Sequence, residues 1–180
     1  MDFTPLALEG AWIITPHHRT DTRGSFTKLF SAEDFLEHGL DARVAQVNAS
    51  HSPDRGTLRG LHLQRHPASE AKTISCVRGR VYDVLADLRP RSATFGRWVA
   101  VELAAADRRM VHVPAGCAHG YMTLEADTEV IYTASRPYRP SLEQVVRYCD
   151  PFFAIEWPFE PLVISEKDRD APDFMHRLYG

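Results

Sequence analysis

The sequence predicts an all-β fold, an antiparallel sandwich or barrel with a few short helices. Three observations point there: β-branched and aromatic runs of strand length, breaks of Gly, Pro and Asp roughly every ten residues, and little helical periodicity. Along the chain, Ser31-Ala32-Glu33-Asp34 has capping-box spacing and predicts a short helix that stops at Gly39. Val44, Gln46 and Asn48 alternate with Ala45 and Val47 as a strand does. In Lys72-Thr73-Ile74-Ser75-Cys76-Val77 the two-residue period of a strand puts Lys72 on the face of Ile74 and Cys76. Trp98 to Leu103, Met110 to Val113 and Glu129 to Thr133 are further strands, and Ser165-Glu166-Lys167-Asp168 opens a second short helix. No repeat, low-complexity tract or linker divides residues 1–180, so one domain is expected.

Composition narrows the partners. The 180 residues carry 21 Lys and Arg against 24 Asp and Glu, a net charge of −3 with no basic field, which argues against nucleic acid. No apolar run approaches the length that crosses a membrane, and the first twenty residues lack a basic-then-apolar signal pattern. Cys76, Cys117 and Cys149 are odd in number and widely separated, which argues against a disulfide framework and for a reducing cytoplasm. All three are expected to be small buried hydrophobes. The expected partners are small molecules or a second copy of the chain.

Chemistry concentrates around Arg59-Gly60-Leu61-His62-Leu63-Gln64 and Lys72. A histidine and a lysine near one another can remove a proton from carbon beside a carbonyl, one as base and the other as the cation holding the oxyanion. A lysine on an apolar strand face has two readings. It lies at the strand end and extends its amine into water, or it lines a pocket where low dielectric strengthens an electrostatic clamp. Pro114-Ala115-Gly116-Cys117-Ala118-His119-Gly120 is a turn-rich loop ending in a second histidine, and Tyr132 stands mid-strand. Gly60, Glu70 and Gly79, followed by Pro114, Gly116 and His119, resemble the two halves of the cupin signature, which implies a jelly-roll barrel. Gln64 stands where a metal-binding cupin has a second histidine, so His62, Glu70 and His119 would give only a two-nitrogen site. A metal-free barrel is therefore the expectation, with a metal-dependent cupin as the alternative.

Nearly the whole chain, in order, resembles the dTDP-4-dehydrorhamnose 3,5-epimerases. The resemblance runs through Asp21-Thr22-Arg23-Gly24-Ser25-Phe26, Gln46-Val47-Asn48-Ala49-Ser50, Arg59 to Gln64, Lys72, and the acidic strand Tyr82 to Arg89. It continues in Ser92-Ala93-Thr94-Phe95-Gly96, Pro114 to Tyr121, Glu129-Val130-Ile131-Tyr132, Asp150-Pro151, Ile155-Glu156-Trp157-Pro158 and Ser165 to Asp168. It implies inversion of C3 and C5 of a 4-keto-6-deoxyhexose on a nucleoside diphosphate, without cofactor or metal. By resemblance His62 is the base, Tyr132 the acid on the opposite face of the ring, and Lys72 the clamp on the C4 oxyanion. Asp168 matches the carboxylate that orients the imidazole, although Ser165-x-x-Asp168 is also a helix cap.

The same resemblance places Arg23 and Arg59 on the diphosphate, Phe26 and Tyr138 around the base, and His119 beside the ketone. Gln46, Asn48, Ser50, Lys28 and Glu143 complete the implied substrate-binding set. Lys28 is a departure: the family usually has a carboxylate two positions after Phe26, which leaves the base open between thymine, guanine and cytosine. Relatives that invert only C3 or only C5 keep the same His, Lys and Tyr, and a non-catalytic sugar-binding barrel is a further alternative. The segment before the helix has no evident partner in the barrel, and the resemblance implies that its strands are exchanged in a homodimer.

Overall fold

The structure, a computed structural model, describes residues 1–174. Its strands are β1 (Asp2–Pro5), β2 (Trp12–Thr15), β3 (His18–Asp21), β4 (Gly24–Thr27), β5 (Gln46–Ser52), β6 (Thr57–Gln64) and β7 (Lys72–Arg78). They continue as β8 (Arg80–Asp87), β9 (Trp98–Ala104), β10 (Met110–Val113), β11 (Cys117–Thr123), β12 (Thr128–Ala134), β13 (Glu143–Val145) and β14 (Val163–Ile164). Two short helices, α1 (Ala32–Glu37) and α2 (Glu166–Arg169), are each capped by a serine, Ser31 and Ser165. One sheet has the order β1-β2-β10-β7-β12-β5 and the other β13-β6-β11-β8-β9, with β14 alongside β6. The two sheets face each other as the cupin-type jelly-roll barrel that the sequence predicts.

Alternation decides what lies between them. Ile13, Val111, Ile74, Cys76 and Val130 of the first sheet meet Val81, Leu85, Leu103 and Tyr121 of the second in one buried cluster. Each large apolar side chain so removed from water contributes about 1.5–3 kcal/mol. Lys72 shares the parity of Ile74 and Cys76, and at its end of β7 the interior opens into the cavity described below.

Both sheets are also covered outside. Leu61, Leu63, Val84, Ala86 and Ala118 pack under Val146, Phe153, Ile155 and Phe174, so β8 and β11 carry apolar side chains on both faces and β6 on its outer one. Asp150 fixes this cover by accepting from the backbone N–H of Phe152 and of Phe174. On the first sheet, Ile14 and Met110 lie beneath Phe35 of α1 and Leu40. The Ser92-Ala93-Thr94 motif has a structural purpose. Ser92 and Thr94 hydroxyls and the Arg89 guanidinium all donate to the buried Asp87 carboxylate. Burial would raise that carboxyl, but these donors hold it at about 2.

Four expectations are corrected. The N-terminal segment does find partners: β1 pairs with β2, and β2 with β10, leaving only the β3–β4 hairpin outside the barrel. His119 stands within β11, not at the end of a loop. Cys149 is exposed, whereas Cys76 and Cys117 are buried with thiols pushed up by burial to about 11 and about 12. The alternating strand expected from Val44 begins at Gln46 and runs on to Ser52.

Two outcomes follow for stability. His112 is buried beside Thr73 and Phe35, and burial, opposed by the charge of Asp41, lowers its imidazole from 6.5 to about 4. The unfolded chain therefore takes up this proton first. Stability should fall by about 1.4 kcal/mol per pH unit as pH drops from 6.5 towards 4, with no contribution above 6.5. Urea unfolding across that range should show a shallower slope in His112→Phe; an unchanged slope removes His112 as the cause. The second concerns Gly60, whose φ is +116° and whose added Cβ would lie 2.6 Å from the Cα of Gly120. Gly60→Ala should destabilise by roughly 2 kcal/mol or more, read as a lower urea midpoint at constant slope.

Candidate active site

β6 and β11 pair with an irregularity that shapes the site. His119 lies opposite His62 and Tyr121 opposite Arg59, so three steps along β6 match two along β11. In a regular strand Arg59 and His62 would point to opposite faces. The extra residue is Gly60, and its bulge turns both side chains to the same side. Only glycines permit it: a Cβ on Gly120 would meet the Arg59 carbonyl oxygen at 2.7 Å, and one on Gly60 the His119 oxygen at 2.8 Å.

That side opens into a cavity of about 590 Å³ that includes Ser50, Arg59, His62, Lys72, His119, Tyr121, Tyr132 and Asp168 in its wall. A second lobe of about 350 Å³ is lined by Gln46, Asn48, Glu70, Arg136, Tyr138 and Glu143, and shares His62, Lys72 and Tyr132 with the first. His62 and His119 come from one sheet, Lys72 and Tyr132 from the other. The shared residues thus face each other across the gap between sheets.

Each polar group has a defined support. His62 Nε2 lies 2.7 Å from Asp168 Oδ1, while Asp168 Oδ2 accepts the Gly60 N–H at 3.1 Å. The Asp168 side chain is 5% exposed and that of His62 31%, so the carboxylate lies behind the ring and the ring meets the cavity. Burial would raise the Asp168 carboxyl, but the His62 ring, the Gly60 N–H and Ser165 bring it below its ordinary value. A carboxylate on Nε2 favours the tautomer with the proton there, leaving Nδ1 as a free base. The Asp168 backbone N–H also donates to Ser165 Oγ, which caps α2, so the capping pattern and the contact with the imidazole are both present.

Burial raises the Tyr132 hydroxyl above its ordinary range, with Glu70 and Glu143 adding to the rise and Arg59 opposing it. It is a neutral donor near pH 7. Lys72 Nζ reaches Glu70 Oε1 at 3.1 Å and the His62 carbonyl at 3.3 Å. His119 Nε2 contacts both oxygens of Asp83, at 3.1 and 2.9 Å. Burial dominates at Asp83 and raises its carboxyl, against the opposing charges of His119 and Lys72.

Asp83 is a site residue that the sequence reading missed. Its signal was available: on β8 it shares parity with the inward Val81 and Leu85, where a carboxylate needs a partner. Tyr121, whose hydroxyl donates to Ser50 Oγ, and Lys167, which donates to Glu143, were also missed. No strand pattern pointed to Lys167, because its α2 helix reaches the cavity only through the fold.

Among the binding candidates, Gln46, Asn48, Tyr138 and Glu143 gather in the second lobe, with Tyr138 donating to Glu143 at 2.7 Å. Ser50, Arg59 and His119 gather in the first. Arg23, Phe26 and Lys28 lie on or beside the β3–β4 hairpin and line neither lobe. Arg23 pairs with Asp21, Phe26 is 72% exposed, and Lys28 pairs with Asp34 at 3.0 Å. His62, Glu70 and His119 are not gathered as metal ligands, and no other such group occurs among the described residues. Gln64 instead ties two loops together, donating to the carbonyls of Ala68 and Pro137.

Comparison with known proteins places this arrangement. The family model described as dTDP-4-dehydrorhamnose 3,5-epimerase matches residues 5–176. A dTDP-4-dehydrorhamnose 3,5-epimerase of Mycolicibacterium smegmatis is 46% identical over 171 residues, 93% of this chain and 83% of that protein. The crystal structure of dTDP-4-dehydrorhamnose 3,5-epimerase from Elizabethkingia anophelis superposes with a TM-score of 0.93 at 37% identity, covering 97% of this chain and 96% of the other. A 3'-monoepimerase from Streptomyces bikiniensis, solved in complex with dTDP-quinovose, gives 0.86 at 39% identity over 94% of this chain and 86% of its own. Fold, cavity and sequence agree, and the chain belongs to the dTDP-4-dehydrorhamnose 3,5-epimerase family.

Proposed function

We propose that the chain is a cofactor-independent epimerase that inverts C3 and C5 of dTDP-4-dehydro-6-deoxyglucose to give dTDP-4-dehydrorhamnose. The observation that carries the reading is the approach of an imidazole and a phenol from opposite sheets onto one cavity, beside a buried ammonium. The protons at C3 and C5 flank the C4 ketone. His62 Nδ1 takes one of them, and the electron pair moves onto the ketone oxygen as an enolate. Lys72, aided by His119, stabilises that oxyanion where low dielectric strengthens the interaction. As the electron pair returns to carbon, Tyr132 gives its hydroxyl proton to the opposite face. The resulting imidazolium and phenolate then reset through solvent, and no electron leaves the sugar.

Arg59 suits the diphosphate, because a planar guanidinium bonds two oxygens at once. The lobe of Gln46, Asn48 and Tyr138 suits the nucleoside, with amide donors and acceptors beside a ring. A homodimer is part of the proposal. Arg23 and Phe26 stand exposed on a hairpin whose strands pair only with each other, and Val47 of β5 and Val77 of β7, with Val44 just before β5, leave apolar surface uncovered at the first sheet. In the dimer the hairpin of one copy completes the cavity of the other.

With dTDP-4-dehydro-6-deoxyglucose in deuterated water, NMR should show solvent deuterium at both C3 and C5. Label at one carbon alone would make the chain a mono-epimerase, and no label would refute epimerisation of this substrate. His62→Asn should lower exchange by about 10²–10⁴-fold while nucleotide affinity is retained. For the dimer, Arg23→Ala and His62→Asn proteins, each inactive alone, should recover activity when mixed and refolded together. Such a mixture pairs an intact His62 with an intact Arg23 from the other copy; failure to recover places the hairpin at its own site.

A further inference from the structure

We propose that Glu70 is a positioning residue for this reaction, holding the Lys72 ammonium where the enolate oxygen forms. The inference rests on the reading of Lys72 as the oxyanion clamp. Lysine ends in a compact ammonium on a flexible four-carbon stem, with three donors and no fixed direction. Here two of the three are engaged, by Glu70 Oε1 at 3.1 Å and by the His62 carbonyl at 3.3 Å. The third is left for the substrate. The Lys72 and Glu70 side chains are 13% and 5% exposed, so water does not replace either partner freely.

Glu70 is itself rigidly placed. Ala68 is tied by the amide of Gln64, and Ala71 exchanges hydrogen bonds with Ser135 in both directions, donating to its hydroxyl and accepting from its backbone N–H. The carboxylate thus projects from a segment anchored on either side. As a stabilising device the pair would be a poor one. Two charges are withdrawn from water, and Glu70 Oε2 is buried with no hydrogen-bond donor, a cost that an apolar or amide side chain would avoid. What the carboxylate does provide is a fixed negative point beside the lobe shared by His62, Lys72 and Tyr132. It aims the ammonium and, by its charge, favours the neutral form of the Tyr132 hydroxyl.

The test compares Glu70→Gln and Glu70→Leu with the unmodified protein, measuring deuterium exchange into the sugar at saturation, affinity for dTDP, and melting temperature. Glu70→Gln keeps an acceptor oxygen and should lose about tenfold in exchange rate; Glu70→Leu keeps none and should lose about a hundredfold. In both, affinity for dTDP should stay within about twofold, and melting temperature should not follow the rate. In a Lys72→Met background, Glu70→Gln should change the rate no further, because a residue acting through Lys72 has nothing left to position. Unmodified rates in both single variants, rate losses that track dTDP affinity or melting, or additive losses in the double variant would each overturn the proposal. Absence of exchange in the unmodified protein would instead overturn the epimerase reading itself.

Discussion

The close approach of Gly60 to Gly120 lets β6 carry one residue more than β11 between their paired positions, and the cavity takes its geometry from that extra residue. It turns Arg59 and His62 to one side, so a guanidinium and an imidazole share a wall, the proposed phosphate contact beside the proposed base. It also frees the Gly60 N–H from the ladder, and Asp168 accepts it with the oxygen that does not hold His62. One carboxylate therefore fixes both the backbone of the bulge and the imidazole that the bulge presents. A side chain at either glycine would drive the strands apart and move all three groups together.

Charge in the cavity follows one repeated plan. Asp168 lies behind His62, Asp83 behind His119 and Glu70 behind Lys72. In each pair the carboxylate is less exposed than its partner, 5% against 31%, 0% against 9% and 5% against 13%. Nitrogen-bearing groups line the cavity, and the acids hold them from the protein side. The two aspartates differ in how burial is answered. Asp168 has donors from His62, Gly60 and Ser165 and falls below the ordinary carboxylate range, while Asp83 relies on His119 and rises above it. Buried pairs of this kind add little to stability, since desolvation offsets their attraction. Their placement around a single cavity is better explained by the chemistry than by the fold.

Much of this was legible in the sequence because it is periodic or local. Two-residue alternation placed Lys72 with Ile74 and Cys76, capping residues marked Ser31 and Ser165, and strand runs gave the β class. What the sequence hid depends on long-range register. Nothing local shows that Gly60 bulges against Gly120, residues sixty positions apart in the chain, and a regular strand would set Arg59 and His62 on opposite faces. Asp83 is one of several acids in its stretch of sequence, and only the pairing of β8 with β11 brings it to His119. Glu70 stands out in the sequence only as a position of the cupin signature and a candidate metal ligand, because nothing local ties its carboxylate to the Lys72 ammonium. The N-terminal strands lacked an evident partner for the same reason: β2 pairs with β10, almost a hundred residues later.

The two-sheet barrel also explains why inversion needs so little machinery. Inverting a carbon requires a base and an acid on opposite faces of one ring, and a cavity within a single sheet or helix pair would present both from one side. Here the interior is bounded by two sheets, so any ligand between them meets His62 from one and Tyr132 from the other without special loops. In the proposed reaction the oxyanion forms between those faces, and Lys72 enters there from the end of β7, where the apolar interior gives way to the cavity. A strand terminus is the one position at which an inward lysine can keep its stem against the core and its ammonium at the ring edge. The proposed base, acid and clamp thus follow from three strand positions, with Asp168 and Glu70 as the hydrogen-bond or ion-pair partners of two of them.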